Sequence, residues 1–236
     1  MTYGAISLAW ELVTLQGMDS PRLIPLAMGF LTCLLTQPVQ ADGEPKVGHL
    51  VIAGAAMAVP TYFAGVAIHE GSHALVAKLS GAEILKFKVL PSREPTTGAF
   101  YFGYVSYRGK LSRGQKISFF TAPKFVDLTL LGTYAALVFT NTIPENRYGR
   151  MAMAVFATGA WVDFSKDLFT TSPNSDLIKT YNLLYLNTEW KRLPLRALQA
   201  GLSAAAAYVL FRGFDGVFER NDRERTRLLP LFSGTF

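Results

Sequence analysis

Val66-Ala67-Ile68-His69-Glu70-Gly71-Ser72-His73-Ala74-Leu75-Val76-Ala77 sets a His-Glu-x-x-His motif in apolar surroundings, and its reading decides the fold. The chain has 3 histidines, and two of them are four residues apart. On a helix, residues i and i+4 share a face with Cβ atoms about 5–6 Å apart. The imidazoles of His69 and His73 can therefore reach one ion through Zn–N bonds of about 2.0–2.1 Å. Glu70, beside the first histidine, can take a proton from a water whose pKa falls to roughly 7 on zinc. Residue types and spacing are those of a hydrolytic Zn2+ centre, with His69 and His73 as ligands and Glu70 as general base. Two surface histidines beside an unrelated glutamate are the plain alternative, and the apolar context argues against it.

Outward from the motif, Val51–Leu79 is almost wholly apolar or small, with Pro60 as the one expected kink. Its 29 residues exceed the roughly 20 that cross a bilayer. Ionisable groups inside such a span are costly to bury and point to function. Composition agrees: of 236 residues 50% are hydrophobic, the mean hydropathy is +0.23, and 17% are charged against a usual value of about 25%. The net charge of +6 and pI of 9.4 do not imply nucleic acid. The basic residues cluster between apolar segments, as the positive-inside bias predicts, so the expected partner is a lipid bilayer. One cysteine, Cys33, excludes an internal disulfide framework and a thiolate-rich metal site.

Before the motif, Arg22 precedes the apolar run Leu23–Leu35, and a small-x-small pattern ends at Ala41. Residues 1–48 thus read as a secretory signal peptide or a retained short transmembrane helix, with a linker. The membrane domain that carries the metal motif is expected over 49–213, with apolar segments Val51–Leu79, Ile117–Phe139, Met151–Phe169 and Ala197–Phe211. Residues 214–236 form a basic tail carrying Arg220, Arg223, Arg225 and Arg227. Between the first two segments, Ile84–Leu90 and Ala99–Tyr107 are alternating or β-rich, with Pro91, Pro95 and Gly98 between them, and read as a β-hairpin. Lys78 to Lys116 holds eight Lys or Arg against Glu83 and Glu94, which assigns the hairpin to the cytoplasm. The expected fold is mainly α: a polytopic transmembrane helix bundle with a small cytoplasmic β-hairpin insert.

A catalytic zinc needs a third protein ligand and an open position. His49 precedes the motif by 20 residues, about 30 Å along a straight helix, and belongs at the far surface. The third ligand must be a carboxylate, and Asp163, Asp167 and Asp176 compete. Asp163 and Asp167 share a helical face at membrane depth, where an unpaired carboxylate is costly, though Lys166 offers either an ion pair. Asp176 also reads as an ordinary first-turn acid of a helix with Ser172 as N-cap and Pro173 in the first position. Physical reasoning leaves the three open.

The run Ala67–Leu75, the β-rich insert and the second apolar segment with Phe120-Thr121-Ala122-Pro123 together resemble the site-2 protease family of intramembrane zinc metalloproteases. In that family a motif helix, a cytoplasmic hairpin and a span near an Ala-Gly-Pro lead to an Asn-x-x-Pro and a Leu-Asp-Gly aspartate, the third ligand. Asp167-Leu168-Phe169-Thr170-Thr171-Ser172-Pro173-Asn174-Ser175-Asp176 looks like a degenerate version of that last element. The resemblance implies Asp176 as ligand, with Asp167 where the family has its asparagine. This chain lacks the glycine before Pro123, has Leu177 after the aspartate, and spaces Asp167 and Pro173 more widely.

The resemblance, which covers about Val51 to Tyr185, implies a zinc endopeptidase of a multi-pass protein, expected in the bacterial inner membrane. It would cut a membrane protein substrate in or near a transmembrane segment. Three other readings compete with it. One is a catalytically inactive, metal-binding membrane regulator, and another a zinc membrane peptidase of different lineage using Asp163 and Asp167. The last is a structural or transport protein with a fortuitous motif.

Overall fold

The computed structural model describes residues 45–93, 98 and 100–218. The apolar run Leu23–Leu35, Cys33 and most of the basic tail lie outside them. The chain is mainly helical: α1 (Val47–Leu79), α2 (Arg113–Phe139), α3 (Arg147–Ser165), α4 (Asp176–Leu183) and α5 (Glu189–Phe218), with one 3-10 turn over Lys166–Phe169. Four short strands, β1 (Glu83–Lys88), β2 (Ser92–Arg93), β3 (Phe100–Tyr101) and β4 (Tyr104–Arg108), lie between α1 and α2.

α2 and α3 start where the sequence offers a cap. Ser112 and Gln115 form a reciprocal capping box at α2, with Gln115 N donating to Ser112 Oγ at 3.3 Å and Ser112 N to Gln115 Oε1 at 2.8 Å. Asn146 Oδ1 accepts from Gly149 N at the start of α3. At the end of α2, Asn141 takes the left-handed conformation at φ 55°, which asparagine tolerates and which stops the helix.

α3 is the central helix, packed on α1, α2 and α5. Met151 and Ala152 meet Leu50 and Met57 of α1 and Val217 of α5; one turn on, Ala154 and Ala157 meet Tyr134 of α2 with Val209 and Leu210 of α5. Alanines along α3 let three neighbours approach closely. The tightest approach is Gly213 of α5, where an added Cβ would fall 1.9 Å from Tyr134 Oη.

α1, α2 and α5 are long and apolar enough to cross a membrane, and only 11% of the most apolar part of α1 is buried in protein. Val51, Ile52, Val59, Phe125, Leu198 and Phe211 point outward from these helices. Such exposed apolar surface suits lipid better than water. The expected span Met151–Phe169 needs correction. α3 starts earlier, at Arg147, and gives way to the 3-10 turn after Ser165, and it is not among the membrane-length helices. Asp163, Lys166 and Asp167 gather at its end, and its small residues face protein. The last segment is also longer than Ala197–Phe211: α5 runs past residue 213 to Phe218, with Val217 fully buried.

The hairpin forms in two antiparallel pieces. β1 pairs with β4, Glu83 opposite Arg108 and Lys88 opposite Tyr104, with a bulge between Ile84 and Lys86; β2 pairs with β3, Ser92 opposite Tyr101. Its base is fastened to the helices by Ala82, Leu111, Ala77 and Phe119, with Ile84 and Tyr107 beside them.

Candidate metal centre

His69 and His73 lie on the same face of α1, one turn apart, with ring centroids at 5.1 Å. Asp176, the first residue of α4, comes to them across the loop after the 3-10 turn. Its Oδ2 lies 3.0 Å from His73 Nε2 and 3.7 Å from His69 Nε2. One donor atom from each of the three residues falls within 4.8 Å of the others, a group that could hold a metal ion. Tetrahedral zinc with bonds of about 2.0–2.1 Å would set its donors roughly 3.3 Å apart. The two distances from the carboxylate oxygen bracket that value, so the donor set fits zinc in its chemistry and in these spacings.

The opposite nitrogens explain why both rings aim the same way. His69 Nδ1 is 2.8 Å from Asp163 Oδ2, and His73 Nδ1 is 2.7 Å from the Phe119 carbonyl. Both partners can only accept, so each Nδ1 carries the proton and donates. Each Nε2 lone pair is then free for an ion, the arrangement by which outer groups orient metal-binding imidazoles. The His73 ring also stacks on Phe119 at 4.5 Å.

The Phe119 carbonyl is available because of Pro123. Within an α-helix the amide of residue i donates to the carbonyl of residue i−4, and proline has no amide hydrogen. Pro123, fully buried inside α2, therefore leaves the Phe119 oxygen without its helical donor, and His73 supplies one.

The three competing aspartates take three different places. Asp176 joins the two Nε2 atoms. Asp163 stands behind His69 and is paired on its other oxygen with Lys166, as the sequence allows. Asp167 reaches neither histidine. It is buried against Lys124 Nζ at 2.9 Å and accepts from Ser175 Oγ at 3.1 Å. The expected helix start at Ser172 and Pro173 is corrected: α4 begins at Asp176 with Ser175 as its N-cap, and the Ser175 hydroxyl is turned to Asp167 instead of an amide. His49 is exposed in the first turn of α1 and takes no part.

Glu70 is half-buried on the next position of α1, and its carboxylate has no hydrogen bond or ion pair to a described residue. The hairpin backbone lies against it: a Cβ built on Gly103 would meet Val66 Cγ1 at 2.6 Å and Glu70 Cγ at 2.9 Å. Only glycine allows the bend between β3 and β4 to come this near the motif helix. Two contributors, Lys124 and the Phe119 carbonyl, were not singled out by sequence reasoning. Pro123, four residues after Phe119, was the available signal for the second, and an ammonium beside that proline was the signal for the first.

Compared with protein families, curated proteins and solved structures, the chain matches none.

Proposed function

We propose that this chain is a zinc metallohydrolase of the His-Glu-x-x-His type, with His69, His73 and Asp176 as ligands and Glu70 as general base. Its particular activity, on this reading, is hydrolysis of a peptide bond in or near a transmembrane segment of a membrane protein. The observation that carries the proposal is the convergence of two Nε2 atoms and a carboxylate oxygen, with both Nδ1 atoms occupied from behind. The membrane setting is supported by three membrane-length helices, α1, α2 and α5. On this reading α1 is one span of a polytopic bundle, and the basic Lys78–Lys116 segment favours the cytoplasmic side for the hairpin. An inner bacterial membrane suits this arrangement.

Zinc, when bound, would supply Lewis acidity, lowering the pKa of a coordinated water to about 7 and polarising a carbonyl. The residues do the rest. Asp163 and the Phe119 carbonyl accept from the two Nδ1 atoms and keep the imidazoles aimed. Glu70, uncommitted to any described partner and partly shielded by Val66 and the hairpin, takes a proton and returns it to the leaving amine. Each strand of the short hairpin is paired on one side only, so an unwound substrate segment can add to a free edge.

The test is metal content and proteolysis measured together. Protein purified without chelators should carry one zinc, and Glu70→Gln should keep the metal while losing cleavage of a reporter membrane substrate. Sub-stoichiometric zinc sinks the metal reading. Full cleavage by Glu70→Gln sinks the catalytic role. Retained zinc with no processing by the wild type of any membrane substrate would favour the inactive regulator, a reading that Leu177 in place of the family's glycine keeps in play.

A further inference from the structure

We propose that Lys124 is a positioning residue for the metal centre, its ammonium holding together the carboxylate that aims His69 and the carboxylate that anchors the Asp176 loop. The inference rests on the metal reading above and adds to it a residue that touches none of the three donors.

Lys124 follows Pro123 on α2 and points into the protein, with its side chain 12% exposed. Its Nζ lies 2.9 Å from Asp167 Oδ2 and 3.8 Å from Asp163 Oδ2, and donates to the Asp163 backbone carbonyl. Asp127 of the same helix faces it at 4.0 Å. Two chains of contact leave this ammonium. One runs through Asp163 to His69 Nδ1. The other runs through Asp167 to the Ser175 hydroxyl, and Ser175 is the residue before Asp176.

Neutralising Asp163 does not by itself explain the placement. Lys166 already pairs with Asp163 from the side open to solvent, with 52% of its side chain exposed. A second ammonium, buried in α2, is costly unless its donors are filled, and an ammonium has three of them. Asp167 and the Asp163 carbonyl lie within hydrogen-bond distance, Asp163 Oδ2 adds its charge at 3.8 Å, and all come from the end of α3 and the turn that follows it. Lys124 thus fixes the distance between α2 and the segment 163–175. That segment carries both the group that orients one ligand and the loop that delivers another. The Phe119 carbonyl, one turn earlier on α2, fixes His73. The same stretch of α2 therefore sets the position of all three donors.

The experiment is a zinc competition titration on the full-length protein in detergent, comparing wild type with Lys124→Met, Lys124→Arg, Ser175→Ala and the Lys124→Met/Ser175→Ala double variant. Loss of an outer partner commonly weakens metal affinity roughly 10–100-fold, and Lys124→Met should fall in that range. Lys124→Arg should recover most of the loss. Ser175→Ala should weaken zinc binding by itself, yet add little in the Lys124→Met background, because both act on one chain of contacts. At saturating cobalt, Lys124→Met should also change the intensity of the visible d–d bands, as a displaced carboxylate donor would. A substitution that only loosens the fold would lower the melting temperature and leave that spectrum unchanged. Wild-type zinc affinity in either Lys124→Met or Ser175→Ala overturns the proposal, and Ser175→Ala carries the test alone if the buried substitution does not fold. Failure of the wild type to bind zinc overturns the metal reading instead.

Discussion

Replacing Pro123 with alanine should move stability and metal affinity in opposite directions. An interior proline costs a helix about 3 kcal/mol or more. Alanine restores an amide hydrogen at position 123, aimed at the Phe119 oxygen. Against that gain stands the loss of two buried methylenes, at about 0.8 kcal/mol each, from a fully buried side chain. The metal-free protein should therefore gain about 1 kcal/mol, which for a chain of this size raises the melting temperature by roughly 2–4 °C. Zinc affinity should fall, because the new amide competes with His73 Nδ1 for the oxygen it now holds at 2.7 Å. A carbonyl has two lone pairs, so the loss belongs at the mild end of the usual range for an outer partner, roughly 10-fold. Differential scanning fluorimetry of the metal-free protein and a chelator competition titration measure the two quantities on one preparation. A stabilised variant that binds zinc as tightly as wild type would refute the idea that the proline makes this carbonyl available.

Asp176→Ala should empty the metal site, whereas Asp163→Ala should retain zinc with affinity reduced roughly 10–100-fold; equal metal content in the two variants, by elemental analysis, would contradict the assigned roles. Gly213→Ala forces a methyl to within 1.9 Å of Tyr134 Oη, so thermal unfolding should show a loss of about 1–3 kcal/mol that exceeds the roughly 0.5–1 kcal/mol an alanine adds to a helix. An unchanged melting temperature there would mean α2 and α5 do not meet as described. Gly103→Val should lift the hairpin backbone from Val66 and Glu70, lowering cleavage while zinc content stays at the wild-type level. Undiminished cleavage by that variant would free the hairpin of any part in the chemistry.

The imidazole pair was legible because helical periodicity converts a spacing of four into a shared face, whatever the tertiary structure does. Asp176 was not legible in that way. Burial arguments favoured Asp163 and Asp167, and both are indeed engaged near the end of α3, but as supports. A local rule ranks residues by the cost of their surroundings, and an outer carboxylate is as deeply placed as a ligand. Only the resemblance to site-2 proteases pointed to Asp176, whose position depends on how the chain turns after Ser165. The hairpin was readable from alternation, although its bulge near Leu85 and its division into two ladders have no counterpart in that pattern. α3 was misjudged as an apolar span because its alanines score as lipid-compatible, while their small size serves contact with three neighbouring helices.

The third donor follows His73 by 103 residues, after the whole of α2 and α3. A nascent chain that has emerged only as far as the hairpin already displays both imidazoles and Glu70, yet lacks the carboxylate that completes the trio. With the trio as the proposed metal site, capture of an ion would report that synthesis and assembly have passed residue 176. On the proposed function, a hydrolase built in this order would stay harmless to its neighbours for most of the time it is being made.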